Sequence, residues 1–261
     1  MSRIAEVFAK KKAFIPFTVV GDPDYETSKK IIKTMIDSGA DMLELGFAFS
    51  DPVADGPTIQ FADNRALDSG MKVDSAFRLI KEIRRDYSDI PIGLLVYANL
   101  VYNRGIDKFY SDAHDAGIDA VLVADIPYEE AKEYVEAADR NDVAPVFIVA
   151  QTTTDERFSR ILKIAKGYIY LVSVLGVTGA RGKVEEGTLE LVKKVKLQTD
   201  LPVAVGFGIS SKEQAKEIIS AGADGVIVGS AIVKIIERNL DDVDGMLREI
   251  GGFVGEMKES I

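Results

Sequence analysis

The sequence predicts a (β/α)8 barrel, and three observations carry that prediction. The first is a phrase that recurs: "SGADMLELG" from Ser38, "AGIDAVLVAD" from Ala116 and "AGADGVIVG" from Ala221. Each sets glycine where a helix must stop in a left-handed turn, then aspartate, then a β-branched or leucine-rich run, so each reads as a helix-to-strand joint. The second is the number of such apolar runs. "AFIPFTVV" from Ala13, "PIGLLVY" from Pro91, "VAPVFIVA" from Val143, "YIYLVS" from Tyr168 and "PVAVGFG" from Pro202 raise the total to eight. The third is what lies between them: "YETSKKIIKTMIDSG", "SAFRLIKEIRRDY", "EEAKEYVEAADRN" and "SKEQAKEIISAG" repeat apolar residues at helical spacing.

The elements come in a regular order. The stretch "MSRIAEVFAKKK" is expected as an extra N-terminal helix ahead of the first strand, and strands begin near 13, 41, 91, 119, 143, 168, 202 and 224. Their apolar character is nearly continuous, which is expected of parallel strands covered on both faces. Two intervals, 41 to 91 and 168 to 202, exceed the rest. Long loops after strands 2 and 6 therefore belong to the face formed by the carboxyl ends of the strands, where barrels carry function. No linker or charge block divides the chain, so residues 1–261 are expected as a single domain. An open doubly wound sheet is the rival arrangement.

Composition excludes several classes of function. With 32 basic against 42 acidic residues, the net charge of -10 opposes attraction to nucleic acid or anionic membrane. No cysteine is present, which removes disulfides, thiolate zinc sites and cysteine nucleophiles. The single histidine, His114 in "YSDAHDAGID", reads as a solvated residue on a polar helix, so a metal mechanism would have to use carboxylates alone. The N-terminus has no apolar signal core and no run reaches the ~18 apolar residues of a membrane span. A cytoplasmic protein is expected.

The chemistry concentrates in "LELGFAFSDPVADGP", residues 43–57. Glu44 lies in the interior of a strand, where an unpaired carboxylate costs several kcal/mol or stays protonated. Near a barrel mouth such a group suits acid–base catalysis, although a Glu paired with a buried donor is the structural alternative. Asp51 and Asp55 stand in turn contexts, and Asp55 returns beside strand 2, where it can aim a second carboxylate at whatever Glu44 contacts. Gly206 and Gly208 after strand 7, with Gly229 and Ser230 after strand 8, match the position where barrels bind phosphate on helix N-termini. Tight turns are the competing reading, and Ser211 breaks the dinucleotide fingerprint. "SVLGVTGARGKVEEG" after strand 6 suits a lid, with Gly176, Gly179 and Gly182. No lysine falls in a strand, which argues against a Schiff-base aldolase. A carboxylate mechanism on a phosphorylated substrate remains.

Seven segments, in order over nearly the whole chain, then show a resemblance. They are "PFTVVGDP" (16–23), "LELGFAFSDPVADGPTIQ" (43–60), "PIGLLVYANLVYNRGID" (91–107), "VLVADIP" (121–127), "GVTGAR" (176–181), "GFGIS" (206–210) and "GSAIVKIIE" (229–237). Together they resemble the tryptophan synthase alpha chain family. The resemblance implies a (β/α)8 enzyme that cleaves indole-3-glycerol phosphate to indole and D-glyceraldehyde 3-phosphate, a retro-aldol reaction without metal or cofactor. It implies Glu44 as the acid–base, Asp55 as acceptor of the indole N–H and Tyr170 as a catalytic-site tyrosine. Phe17, Leu95 and Phe207 would be indole walls, Thr178 a lid residue meeting Asp55, and Gly179, Gly208, Gly229 and Ser230 the phosphate cradle. It also implies a pyridoxal-phosphate-dependent beta chain as partner in an α2β2 complex. Two departures stand out: Ala48 replaces the proline of the family's usual "PFSDP", and "QTTTDERF" from Gln151 replaces a Pro-rich segment. A phosphosugar isomerase barrel and a non-catalytic phosphate-binding regulatory subunit remain as alternatives.

Overall fold

The computed structural model describes residues 2–172, 184, 186–206 and 208–261. Helix α1 (Arg3–Lys10) precedes strand β1 (Ala13–Val20), and α2 (Tyr25–Asp37) leads to β2 (Leu43–Phe47). After a long loop come α3 (Pro57–Asp68), α4 (Val73–Asp86), β3 (Ile92–Val96), α5 (Ala98–Arg104) and α6 (Ile106–Asp115). Next are β4 (Ala120–Val123), α7 (Lys132–Arg140), β5 (Ala144–Val149), α8 (Asp155–Ile161) and β6 (Ile169–Val172). The order ends with α9 (Glu186–Lys196), β7 (Val203–Gly206), α10 (Lys212–Ser220), β8 (Gly225–Val228), α11 (Ser230–Arg238) and α12 (Val243–Lys258).

All eight strands are parallel and close in sequence order, with β1 hydrogen-bonded to both β2 and β8. Closure disposes of the open-sheet rival, and every strand begins within two residues of its predicted start. The extra N-terminal helix is α1. The added length after β2 holds α3 ahead of the expected α4, whereas most of the segment after β6 lies outside the described residues. Helix starts follow local chemistry: Asp24 caps α2 by accepting from Thr27 N–H at 3.0 Å, and Pro57 opens α3. His114 is exposed on α6. Among the described residues no helix is long and apolar enough to cross a membrane.

The recurring glycine–x–aspartate phrase has a structural role beyond stopping a helix. Gly39, Gly117 and Gly222 take the left-handed conformation, with φ of 108°, 78° and 109°. The aspartate two residues on then grips one residue of the preceding strand at two points. Asp41 accepts the Phe14 N–H on its side chain (2.8 Å) and donates its own N–H to the Phe14 carbonyl (3.0 Å). Asp119 does the same with Ile92 (2.9 and 2.8 Å), and Asp224 with Val203 (2.9 and 2.8 Å). At the amino rim the parallel ladder has not begun, so these N–H groups would otherwise be orphans. The clamp sets the register of β1–β2, β3–β4 and β7–β8. Each carboxylate is also flanked by two cations: Lys11 and Lys258 at Asp41, Arg3 and Arg84 at Asp119, Lys12 and Lys196 at Asp224. Asp119→Ala should therefore cost about 2 kcal/mol in urea unfolding, because it leaves the Ile92 N–H without its acceptor and removes the counter-charge of Arg3 and Arg84. Glu136→Ala, which breaks only the exposed pair with Lys132, should cost less than about 0.5 kcal/mol; equal effects would refute the clamp.

Candidate active site

Strand alternation sends Phe17, Glu44, Leu95 and Tyr170 toward the barrel axis, where they line a cleft of about 440 Å³ with Asp55, Gly208, Gly229 and Ser230. Eight of the residues proposed from sequence thus meet in one place. Thr178, Gly179 and Phe207 lie outside the described residues. Ile59, Ile209 and Ile227 complete the wall and were not foreseen, although each sits beside a segment already singled out.

Glu44 is 1% exposed, between Phe17 of β1 and Gly93 of β3 in the sheet register. Its hydrogen bond comes from the Tyr168 hydroxyl, donated to Oε1 at 3.4 Å. No cation pairs with it among the described residues. Burial therefore dominates and pushes the carboxyl up to about 8, with the charge of Asp55 adding to the rise and Tyr168 opposing it. Absent side chains make this geometry possible. A Cβ on Gly93 would lie 3.1 Å from the Tyr168 hydroxyl, and one on Gly206 would overlap the hydroxyl of Tyr170.

Asp55 is carried by the β2–α3 loop. Its Oδ2 accepts a 2.6 Å bond from the Tyr97 hydroxyl, which in turn accepts the Ala54 N–H at 3.1 Å. The Tyr97 ring stacks on Phe49 at 5.1 Å. Burial raises the Asp55 carboxyl and the Tyr97 bond counteracts it. Asp51 is exposed and accepts from Ser50 Oγ, so it serves the turn and stays out of the cleft. Ala48 packs at the rim of a separate apolar cavity beside Phe47 and Leu100.

The two helix N-termini flagged for phosphate are not equivalent. α10 is closed by its own side chains in a capping box: Ser211 accepts from Gln214 N–H, and Gln214 Oε1 accepts from Ser210 and Ser211 N–H groups. α11 has Gly229 at its cap and no side-chain cap, and its first turn opens on the cleft through Gly229 and Ser230. The anion-ready end is α11.

Sequence reasoning passed over Tyr97, Tyr168 and Asp63. Tyr168 was within reach, since it lies two residues before Tyr170 and alternation puts both on one face. Asp63 falls four residues after Ile59, on the buried stripe of α3.

The sequence profile of the tryptophan synthase alpha chain family matches residues 5–261. The chain belongs to this family. The alpha chain of Methanoregula boonei is 54% identical over 262 residues, covering 100% of this chain and 98% of that one. That of Methanothermobacter thermautotrophicus is 52% identical, covering 97% and 94%. Among solved structures, the Legionella pneumophila alpha chain superposes with TM-score 0.91 at 31% identity, covering 100% of this chain and 97% of that chain. The tryptophan synthase α2β2 complex of Pyrococcus furiosus provides a chain at TM-score 0.89 and 39% identity, covering 95% and 98%. As a member of this family, the protein is an enzyme of tryptophan biosynthesis.

Glu44 links the site to stability. Its folded pKa of about 8 exceeds the ordinary 4.5, so the native chain keeps a proton that the unfolded chain has released between those values. Stability is full below that window and falls as pH rises through it. Glu44→Gln should therefore stabilise the fold by on the order of 4 kcal/mol above pH ~8 and change little below pH ~4.5. A gain that is the same at both pH values, measured by denaturant unfolding, would contradict the buried neutral acid.

Proposed function

We propose that the chain cleaves indole-3-glycerol phosphate to indole and D-glyceraldehyde 3-phosphate as a carbon–carbon lyase, with Glu44 as both acid and base. One observation carries this reading: a neutral acid stands deep in an apolar cleft whose far end is an open helix N-terminus. The substrate has matching parts, a flat apolar ring and a phosphate joined by a short polar chain.

The chemistry can be derived from the proton inventory. A protonated Glu44 delivers its proton to the indole carbon bearing the glycerol chain, and the ring nitrogen takes up positive charge. The resulting carboxylate receives the proton of the adjacent hydroxyl. The carbon–carbon bond breaks, its electron pair restores the aromatic ring, and the hydroxyl carbon becomes the aldehyde. Glu44 ends protonated, so the cycle is balanced without metal or cofactor. A carboxyl titrating near neutrality serves both half-steps. Asp55 accepts the indole N–H and stabilises the positive ring. Phe17, Leu95, Tyr170 and the three isoleucines hold the ring, and Gly208, Gly229 and Ser230 the phosphate, by amide dipoles. By family resemblance Phe207, Thr178 and Gly179 complete the enclosure. The setting is the cytoplasm.

The partner is a pyridoxal-phosphate-dependent beta chain in an α2β2 assembly, and the cofactor belongs to that chain. The Pyrococcus relative forms such a complex. Val53 and Tyr102, 82% and 71% exposed on the carboxyl face, offer the apolar contacts such docking uses. Val53 adjoins Ala54, whose N–H is bound to Tyr97, so docking there bears on Asp55.

Indole release from indole-3-glycerol phosphate, with and without beta chain, tests the reaction; no release in either condition rejects it. Glu44→Gln should lower kcat by roughly 10²–10⁴-fold while retaining substrate binding, and unchanged turnover would remove Glu44 from the mechanism. Wild-type kcat should fall above pH ~8 as the acid ionises. Tyr102→Asp should weaken stimulation by the beta chain by about tenfold or more and spare indole release by the isolated chain; undiminished stimulation would move the docking surface elsewhere.

A further inference from the structure

One buried titratable side chain near the cleft has no role in the cleavage chemistry. α3 buries Ile59, Ala62, Asp63 and Ala66 along one face, so Asp63 occupies a core position on an otherwise apolar stripe. It is 3% exposed. An acid so placed needs a partner, and among the described residues no cation supplies one. Arg65, nearest in sequence, is engaged by Asp22 through bonds of 2.7 and 2.9 Å. Among the described residues Asp63 Oδ1 accepts only a 3.4 Å bond from Phe49 N–H, and Oδ2 has no hydrogen-bond partner. That single bond reaches the cleft through two aromatic rings. The Phe49 ring stacks on Tyr97, and the Tyr97 hydroxyl holds Asp55.

We propose that Asp63 is a positioning residue of this site, a buried acid beneath the β2–α3 loop that keeps Phe49 and Tyr97, and through them Asp55, in place. The inference rests on the reading that Asp55 serves indole-3-glycerol phosphate cleavage.

The groups facing Asp63 support a neutral form. Asp55 bears on it from the β2–α3 loop and Asp22 from the β1–α2 loop, both raising its carboxyl. The Tyr97 hydroxyl faces it from the end of β3, and Arg65 and Glu237 of α11 act on Asp22. Burial is the largest cause, and with Asp55 it pushes Asp63 up to about 8. Above that pH Asp63 takes on charge beneath the loop that bears Asp55, and the repulsion between the two carboxyls loosens Asp55.

Two measurements decide the matter. Carbon-13 NMR of labelled aspartate carboxyls, with Asp63 assigned by the signal lost in Asp63→Asn, should show it titrating near 8 and moving lower in Asp55→Asn. Titration in the ordinary aspartate range would overturn the proposal. In the cleavage assay Asp63→Leu should lower kcat about tenfold with KM within about twofold, and Asp63→Asn should recover most of the loss. Because Asn cannot ionise, its alkaline decline should be one proton steep where that of the wild type approaches two. Wild-type rates in Asp63→Leu, or an Asp63→Asn as impaired as Asp63→Leu, would overturn it. If the wild type releases no indole, the cleavage reading fails, and the titration alone then judges Asp63.

Discussion

The cost of placing a carboxyl in the barrel interior governs how the rest of the site is arranged. Among the described residues Glu44 has no cation to neutralise it, so it survives there as the neutral acid, with one hydroxyl for company. That requirement explains the glycine at 93, which leaves room for Tyr168, and the apolar side chains that make up most of the surrounding wall. A basic partner would have made the fold more tolerant of alkaline pH and would have held the proton off the carboxyl. The site forgoes stability for a proton it can move, the familiar opposition between an optimal fold and a reactive group.

The two ends of the barrel treat the same side-chain type in opposite ways. At the amino end Asp41, Asp119 and Asp224 are each bracketed by two cations and a backbone N–H, which fixes strand register. At the carboxyl end Glu44, Asp55 and Asp63 meet hydroxyls, one another, or a single long N–H contact. The amino-end aspartates are paired with cations and the three acids around the cleft are not, whereas Asp22, on the same side but not lining the cleft, is paired with Arg65. The β2–α3 loop connects these concerns. It bears Asp55, is tied down through Tyr97, and rests on Asp63 of the helix it leads into.

Much of this was legible residue by residue. Eight apolar runs with helical stretches between them specify parallel strands covered on both faces, and the tertiary structure decided that they close into a barrel. Glu44 announced itself as the acid inside such a run, and Asp55 as the acid whose loop returns to it. The glycine–x–aspartate joints were recognisable as helix stops. Their second function was not, because the aspartate's partner residue lies 21 to 27 positions away and only register makes them neighbours.

What the sequence by itself determined is therefore what depends on short-range pattern: element type, element order, the family, and the anomalous setting of Glu44. Tertiary structure alone decided the rest. It chose α11 over α10 as the open helix end, since Gln214 folds back onto its own cap. It brought Tyr97 to Asp55 and Tyr168 to Glu44 across separations of 42 and 124 residues. It also turned an acid on a helix stripe into the support of a loop. These contacts arise from closing the barrel, a non-local event in which the position of each side chain depends on the register of all eight strands.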